Sequence, residues 1–452
     1  MPRSKGIPRR EALQIGFSGL LGLGLPQLAR ANPVSRPKSV LLIFLTGASS
    51  HLDTFDLKPE SPDGIRGEFK PVATSVPGIQ VCEHLPLLAQ RAHQYALVRS
   101  MAHKENNHLV ATHHTLTGHP QPGAFFDKVA SRDDWPSYAA TLNYLHARGD
   151  GLPSGVNLPT FLVEGALTWP GQHAGFIGPR HDPWQITQDP ARPGFKVDNL
   201  SVSQGLTIGR IRDRAGILKS LDLKQKALEQ SPAPGRLREQ QEMALAMLGS
   251  GKLAQAFDLD QEPVASREKY GRHAFGQSIL LARRLLQAGV PVVQANMGRV
   301  QNWDTHGENF TRLKNSLLPP LDRGVAALLD DLTATGMIED TLVIVTGEFG
   351  RTPKISFQPG ANNSQPGRDH WAQCYTALFA GAGVRGGQVI GRSDKIGAYP
   401  ATIPYTPDDL GATVYHTLGI DPETHVRDRQ NRPSQLNRGK VIEPLFNGSH
   451  GA

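Results

Sequence analysis

Short runs of continuous apolar residues punctuate the chain at 39–45, 95–98, 290–295, 341–345 and 374–379. Runs of this length without polar alternation fit strands covered on both faces, as in the interior of a parallel sheet. Between several of them the apolar positions take helical spacing, notably over 275–288 and 313–335. Strands alternating with helices predict an α/β fold, a mostly parallel doubly wound sheet flanked by helices. From about 148 to 267 the pattern shifts to Pro/Gly-rich loops and then to polar helices near 221–229 and 236–248, which reads as an insertion packed on the sheet. The stretch 357–367, with Pro359, Gly360, Asn362, Asn363 and Pro366, reads as an exposed loop beside the strand ends.

The first residues follow a different pattern. Arg3, Lys5 and the pair Arg9-Arg10 precede an apolar run over 12–25, which is followed by Ala29-Arg30-Ala31. A basic start, a short apolar stretch and a small-residue cleavage site make a twin-arginine signal peptide covering 1–31. The run is broken by Gly16, Gly19, Gly22 and Gly24 and falls short of the roughly 20 residues a membrane helix needs. No later run reaches that length, so residues 32–452 read as a periplasmic or secreted protein with no membrane span. Twin-arginine export moves folded proteins, which suits a chain that acquires a metal before it leaves the cytoplasm.

Charge adds little. Taking the leader's five basic side chains and Glu11 from the 48 basic and 41 acidic residues leaves 43 against 40, no footprint for nucleic acid. The two cysteines, Cys82 and Cys374, are far apart in sequence. They are either one disulfide or two buried thiols, and they do not make a thiolate zinc site.

The candidate chemistry sits just beyond the strands, where open parallel sheets bind ligands. After the first strand come Ser49-Ser50-His51-Leu52-Asp53-Thr54-Phe55-Asp56, and after the run at 290–295 come Asn302-Trp303-Asp304-Thr305-His306-Gly307. After the run at 341–345 come Gly347-Glu348-Phe349-Gly350-Arg351, and before the run at 374–379 stand Gly367-Arg368-Asp369-His370-Trp371. Asp53, Asp304, His306, Glu348, Asp369 and His370 are thus candidate ligands for a divalent ion, whether zinc, calcium, magnesium or manganese. Capping of the next segment is an equal reading for Asp53 and Asp56. Arg351 is either a clamp on an anionic substrate or half of a buried salt bridge. Trp169, Trp184 and Trp303 read as packing residues before they read as the lining of a sugar cleft.

A further group, Asn106-Asn107-His108-Leu109-Val110-Ala111-Thr112-His113-His114, predicts a short helix that begins near Asn107 and ends at Gly118. Its N-terminus would be a natural anion site beside the metal ligands. Of His113 and His114 at most one faces the site, and the other is a packed surface histidine.

Together these motifs resemble the bacterial family catalogued as domain of unknown function 1501, a sulfatase-like branch of the alkaline phosphatase superfamily. The resemblance runs through 47–59, Leu116-Thr117-Gly118, 171–178, 275–284, Trp303 to Gly307, 347–353 and 367–371. It implies an alkaline phosphatase/sulfatase-like sheet with a divalent-metal site at the strand ends. It also implies that Asp304 and His306 match one ligand segment of related hydrolases, that Glu348 opens the place of an Asp-His pair, and that His370 matches a later ligand. Phe349 replaces that pair's histidine, a departure from a full two-metal set. The family's nucleophile position falls on His108, and no Cys-x-Pro-x-Arg sulfatase signature is present.

Two functions follow as expectations. One is a metal-dependent hydrolase acting on a sulfate or phosphate ester, an anionic small molecule or glycan, with His108, Thr112 and Arg351 as catalytic candidates and Thr115 or Ser50 as other hydroxyls. The other is a non-catalytic binding or envelope-assembly protein that retains the fold.

Overall fold

The computed structural model describes residues 38–123, 129–197, 251–357 and 365–448. The leader and the polar helices expected near 221–229 and 236–248 lie outside the described residues. The strands that position the site are β1 (Ser39–Phe44), β2 (Tyr95–Met101), β3 (Gly155–Leu158), β4 (Trp184–Gln185), β5 (Val292–Asn296), β6 (Thr341–Thr346), β7 (Gly350–Arg351), β8 (His370–Trp371), β9 (Tyr375–Ala380) and β10 (Gln388–Ile390). Of these, β7 and β8 pair only with each other, antiparallel; the rest form one sheet in the order β10-β2-β9-β6-β1-β5-β3-β4.

Every neighbouring pair in that sheet is parallel except the two made by β9, which runs against β6 and β2. The fold is therefore α/β with a mostly parallel sheet flanked by helices. All six residues of β1 are buried, the outcome expected of an apolar run with helices on both sides. Val40, Leu42 and Phe44 pack in one core with α1 (His108–Thr117), α2 (Tyr138–Leu145) and α5 (Pro407–Thr417). Leu41 and Ile43 point the other way, into a core shared with α3 (Ala274–Ala288) and α4 (Leu318–Ala334). Because successive side chains of a strand alternate, one apolar run supplies both cores.

Two expectations change. The stretch read as an insertion packed on the sheet instead contributes β3 and β4 to the sheet itself, next to β5. β3 is only four residues long and carries a buried Asn157, whose side chain donates to the Gln172 carbonyl, so it did not stand out as an apolar run. The helix expected over 313–335 opens as a π turn over Leu313–Leu317 before α4 begins. Pro319 and Pro320 lack the N–H groups that a continuous α ladder requires there. Cys82 and Cys374 are both free and buried, and burial pushes each thiol up to about 12. Among the described residues no helix is long and apolar enough to cross a membrane.

The core also holds neutral histidines. His113 donates from Nδ1 to the His119 carbonyl and accepts at Nε2 from the Trp135 N–H, a pairing that only the neutral ring can make. Burial pulls His113 and His103 down to about 3 and His119 to about 4. Below about pH 6.5 the unfolded chain takes up protons that these rings refuse, so stability is complete above that value and falls as the pH drops toward 4. Roughly 2 kcal/mol per histidine is expected to be lost at pH 5. Urea midpoints that stayed constant from pH 7.5 to 5 would contradict this.

Candidate metal centre

The reversed strand decides where the site lies. The loops after β1, β2, β5 and β6 leave the same edge of the sheet, because those strands run in one direction. Residues 367–371 precede β9, and in a parallel strand they would sit at the opposite edge. Since β9 is antiparallel, they arrive beside the other loops. Two glycines let the loops touch. At Gly47, with φ +96°, a Cβ would stand 2.6 Å from the Gln301 Cα and 2.8 Å from the Asp304 nitrogen. At Gly367 it would stand 2.2 Å from the Thr305 carbonyl oxygen. A side chain at either position would push Asp304 and His306 away from their neighbours.

Asp304 is the centre of the cluster. Its Oδ1 lies 3.0 Å from His306 Nε2 and 3.3 Å from His370 Nε2, and these two nitrogens are 2.9 Å apart. His370 Nδ1 is 2.8 Å from the Asn106 carbonyl, so that nitrogen carries the proton and Nε2 presents a lone pair. His306 Nδ1 faces the Asp369 carboxylate at 3.3 Å, which orients its Nε2 in the same way. Two imidazole lone pairs at this separation repel unless a shared proton or a cation stands between them. Asp304 Oδ1 is buried and also meets the Arg351 guanidinium, so one cation already faces it from behind. Ligands set tetrahedrally at about 2.0–2.1 Å around zinc would stand about 3.3 Å from one another, close to the spacing here. The donor set, two nitrogens and one carboxylate oxygen, fits a metal of the zinc or manganese kind better than calcium.

His108 closes the inner wall. Its Nδ1 is 2.6 Å from Glu348 Oε1 and its Nε2 is 3.2 Å from Asp304 Oδ2. The ring lies between Trp169 and Phe349 and meets His370 edge-on. Burial alone would lower this imidazole, but its bonds to Asp304 and Glu348 and their charges push it up to about 9. Burial likewise works to raise Asp304, yet Arg351 and the three imidazoles outweigh it and hold the carboxyl far below the usual range. For His370 the balance runs the other way, and burial lowers it. Asp304 is therefore held as an anion and His370 is favoured as a neutral imidazole. One ligand atom each from His108, Asp304 and His370 lie within 4.8 Å of one another, and the same holds for His306, Asp369 and His370.

Other sequence candidates take different roles. Asp53 is not in the cluster: it is buried against Arg368 in a two-point ion pair at 2.7 and 3.0 Å, with Ser50 and Asn309 also donating to it. Both readings made for it, ligand and cap, give way to that of an internal anchor. Arg351 is fully buried and donates to the Gly47 and Ala48 carbonyls while its guanidinium meets Asp304. It is the salt-bridge partner and not a clamp on substrate, because its donors are already engaged. Glu348 accepts from the Gly47 N–H and holds His108, so it positions the histidine from behind.

Thr112 and Thr115 are fully buried in α1 and do not present a hydroxyl to a soluble ester. Ser50 donates to Asp53. The start of α1 is capped by its own chain, since Asn107 Oδ1 accepts from Leu109 N and Val110 N, which removes the anion site expected there. His113 and His114 are both buried and neither enters the cluster; His114 pairs with Asp408. Trp169 and Trp303 are buried packing residues, and Trp184 packs edge-on against Phe257. Sequence reasoning missed the role of Arg368, whose only signal was its position next to Asp369-His370, and that of the Asn106 carbonyl, which leaves no signal in side-chain chemistry.

Among solved structures the chain is similar to the PsFucS1 sulfatase from Pseudoalteromonas sp., with 13% identity over 98% of this chain and 77% of that one, at a TM-score of 0.38. It is similar to the phosphonate monoester hydrolase SpPMH from Silicibacter pomeroyi, with 12% identity over 92% and 77%, at 0.40. A protein in the alkaline phosphatase superfamily from Vibrio parahaemolyticus shares 12% identity over 85% and 67%, at 0.38. No curated protein sequence matches. The family described as Protein of unknown function (DUF1501) matches residues 37–446, nearly all of the chain that builds this sheet and its cluster, and the chain belongs to that family.

Proposed function

We propose that this protein is a metal-dependent hydrolase of sulfate or phosphate esters, exported by the twin-arginine route to the periplasm or beyond. The observation that supports the reading is the convergence of His306 Nε2, His370 Nε2 and Asp304 Oδ1, an oxygen also ion-paired with Arg351. These three residues would hold the ion, with Asp369 and the Asn106 carbonyl orienting the two rings. A bound divalent ion supplies Lewis-acid polarisation of an ester oxygen. His108, protonated between Asp304 and Glu348, is assigned as the proton donor to a departing oxygen, which requires its Nε2 to exchange Asp304 for the ester. Arg351 keeps Asp304 aimed and anionic.

Among the described residues Ser50 is paired and Thr112 and Thr115 are buried, so the attacking oxygen is assigned to solvent. His306, His370 and Asp369 form the open side of the cluster, their side chains 17, 22 and 65% exposed, so an ester approaches there. That none of these three hydroxyls is presented to an ester favours a second reading, a non-catalytic protein that keeps the ion as a structural element.

One experiment separates the two. The purified protein, assayed on aryl sulfates and aryl phosphates with zinc or manganese, is expected to turn over one class, to lose activity on chelation and to regain it on readdition. Chelation that unfolds the protein, with no turnover on either class beforehand, would select the second reading.

A further inference from the structure

At the far end of α1 from the cluster, His119 stacks on Trp135 at 3.6 Å, and Trp135 meets Phe176 edge-on at 5.1 Å. Phe176 forms one wall of a 660 Å³ cleft that also includes Tyr144, Arg132, Arg427 and Arg429. α1 spans ten residues, about 15 Å at the helical rise, so this cleft is remote from Asp304. Arg180 and one carboxylate, Asp428, also line it, and Asp182 pairs with its Arg132; both carboxylates are already used. Asp182 is locked in a two-point pair with Arg132 at 2.7 Å for both bonds. Asp428 is turned into its own loop, where it accepts from Arg432 Nε and from the Gln430 and Arg432 N–H groups.

Arg427 and Arg429 are exposed and, among the described residues, bond to carbonyls alone, of Asn431 and Arg132 respectively. Neither is ion-paired among the described residues, and carbonyl bonds leave guanidinium N–H groups over for a ligand. Guanidinium forks match tetrahedral oxyanions, and the half-buried Tyr144 and Phe176 rings offer flat apolar surface beside them.

We infer that this cleft, lined by Arg427, Arg429, Tyr144 and Phe176, is a binding site for a saccharide that carries sulfate or phosphate groups. The arginines take the oxyanions and the rings take the sugar face. Binding here is independent of turnover at Asp304, so it stands whether or not the proposed hydrolysis does.

Calorimetric titration tests it, with the purified protein and four probes: dextran sulfate, dextran phosphate and plain dextran oligosaccharides of equal length, and potassium sulfate. Dextran sulfate or dextran phosphate is expected to bind more tightly than plain dextran and than potassium sulfate, and the tighter of the two identifies the oxyanion. The Arg427→Gln/Arg429→Gln variant is expected to weaken that binding by at least about tenfold. Asp304→Ala and a surface control of equal charge loss, Arg392→Gln/Lys395→Gln, are expected to leave it unchanged. Equal binding of charged and plain dextran, full affinity in the arginine variant, or the same loss in either control would overturn the inference. Potassium sulfate binding as tightly as the charged oligosaccharide would overturn its saccharide part.

Discussion

Asp304→Ala is expected to strip the protein of its metal and of any activity that depends on it. Among the described residues Asp304 is the one carboxylate that meets both imidazole Nε2 atoms, so its removal leaves His306 and His370 as a two-nitrogen remnant of the proposed site. It also leaves Arg351 buried without its carboxylate, and some loss of stability accompanies the loss of metal. Asp369→Asn separates the two effects. Asp369 is 65% exposed, and its contact with His306 Nδ1 orients a ligand without being needed for folding. An outer partner of this kind contributes about 10- to 100-fold in metal affinity, so Asp369→Asn should weaken binding by that factor while the urea midpoint of the metal-free protein stays unchanged. Elemental analysis and metal titration of the parent and both variants check this. Stoichiometric metal retained in folded Asp304→Ala would remove Asp304 from the ligand set.

Arg368→Met is expected to produce the largest loss of stability, about 3–5 kcal/mol, because it leaves the buried Asp53 carboxylate without its countercharge. Arg368 also donates to the carbonyls of Ile65, Thr352 and Pro353, all of which the variant leaves short of a donor. The double variant Asp53→Leu/Arg368→Met should recover only part of the loss, since it removes the stranded charge but not the stranded carbonyls. Urea unfolding at an unchanged m value measures both. A loss under about 1 kcal/mol in the single variant would show that the pair contributes no more than a surface ion pair. Because Arg368 anchors the loop that carries Asp369 and His370, weaker metal binding should accompany the lower midpoint.

Most of the frame was legible in the chain. The apolar runs at 39–45 and 341–345 became β1 and β6, and Asn107 and Gly118 bounded α1 as expected, with Gly118 left-handed at its end. These features are local: a continuous apolar run and a side chain that caps a helix act over a few residues. The clustered residues Asp304, His306 and His370 were legible for a related reason, since each follows or precedes a recognisable strand.

What escaped the sequence depends on partners hundreds of positions away. Whether Asp53 binds a metal or an arginine is decided by Arg368, which arrives 315 residues later along the chain. Whether Arg351 is a clamp or a pin is decided by the carbonyls of Gly47 and Ala48. A carboxylate or guanidinium looks the same in sequence in either role, because burial and counter-ion are properties of the packed chain.

The sequence by itself determined the α/β alternation, the boundaries of α1 and the presence of carboxylates and imidazoles in loops at strand ends. Only the tertiary structure decided that β9 runs against its neighbours and so brings His370 to Asp304, and that Asp53 and Arg351 are internal pins. Apolar runs specify that a strand forms but carry no information about its direction, which is set by the crossover that delivers it to the sheet.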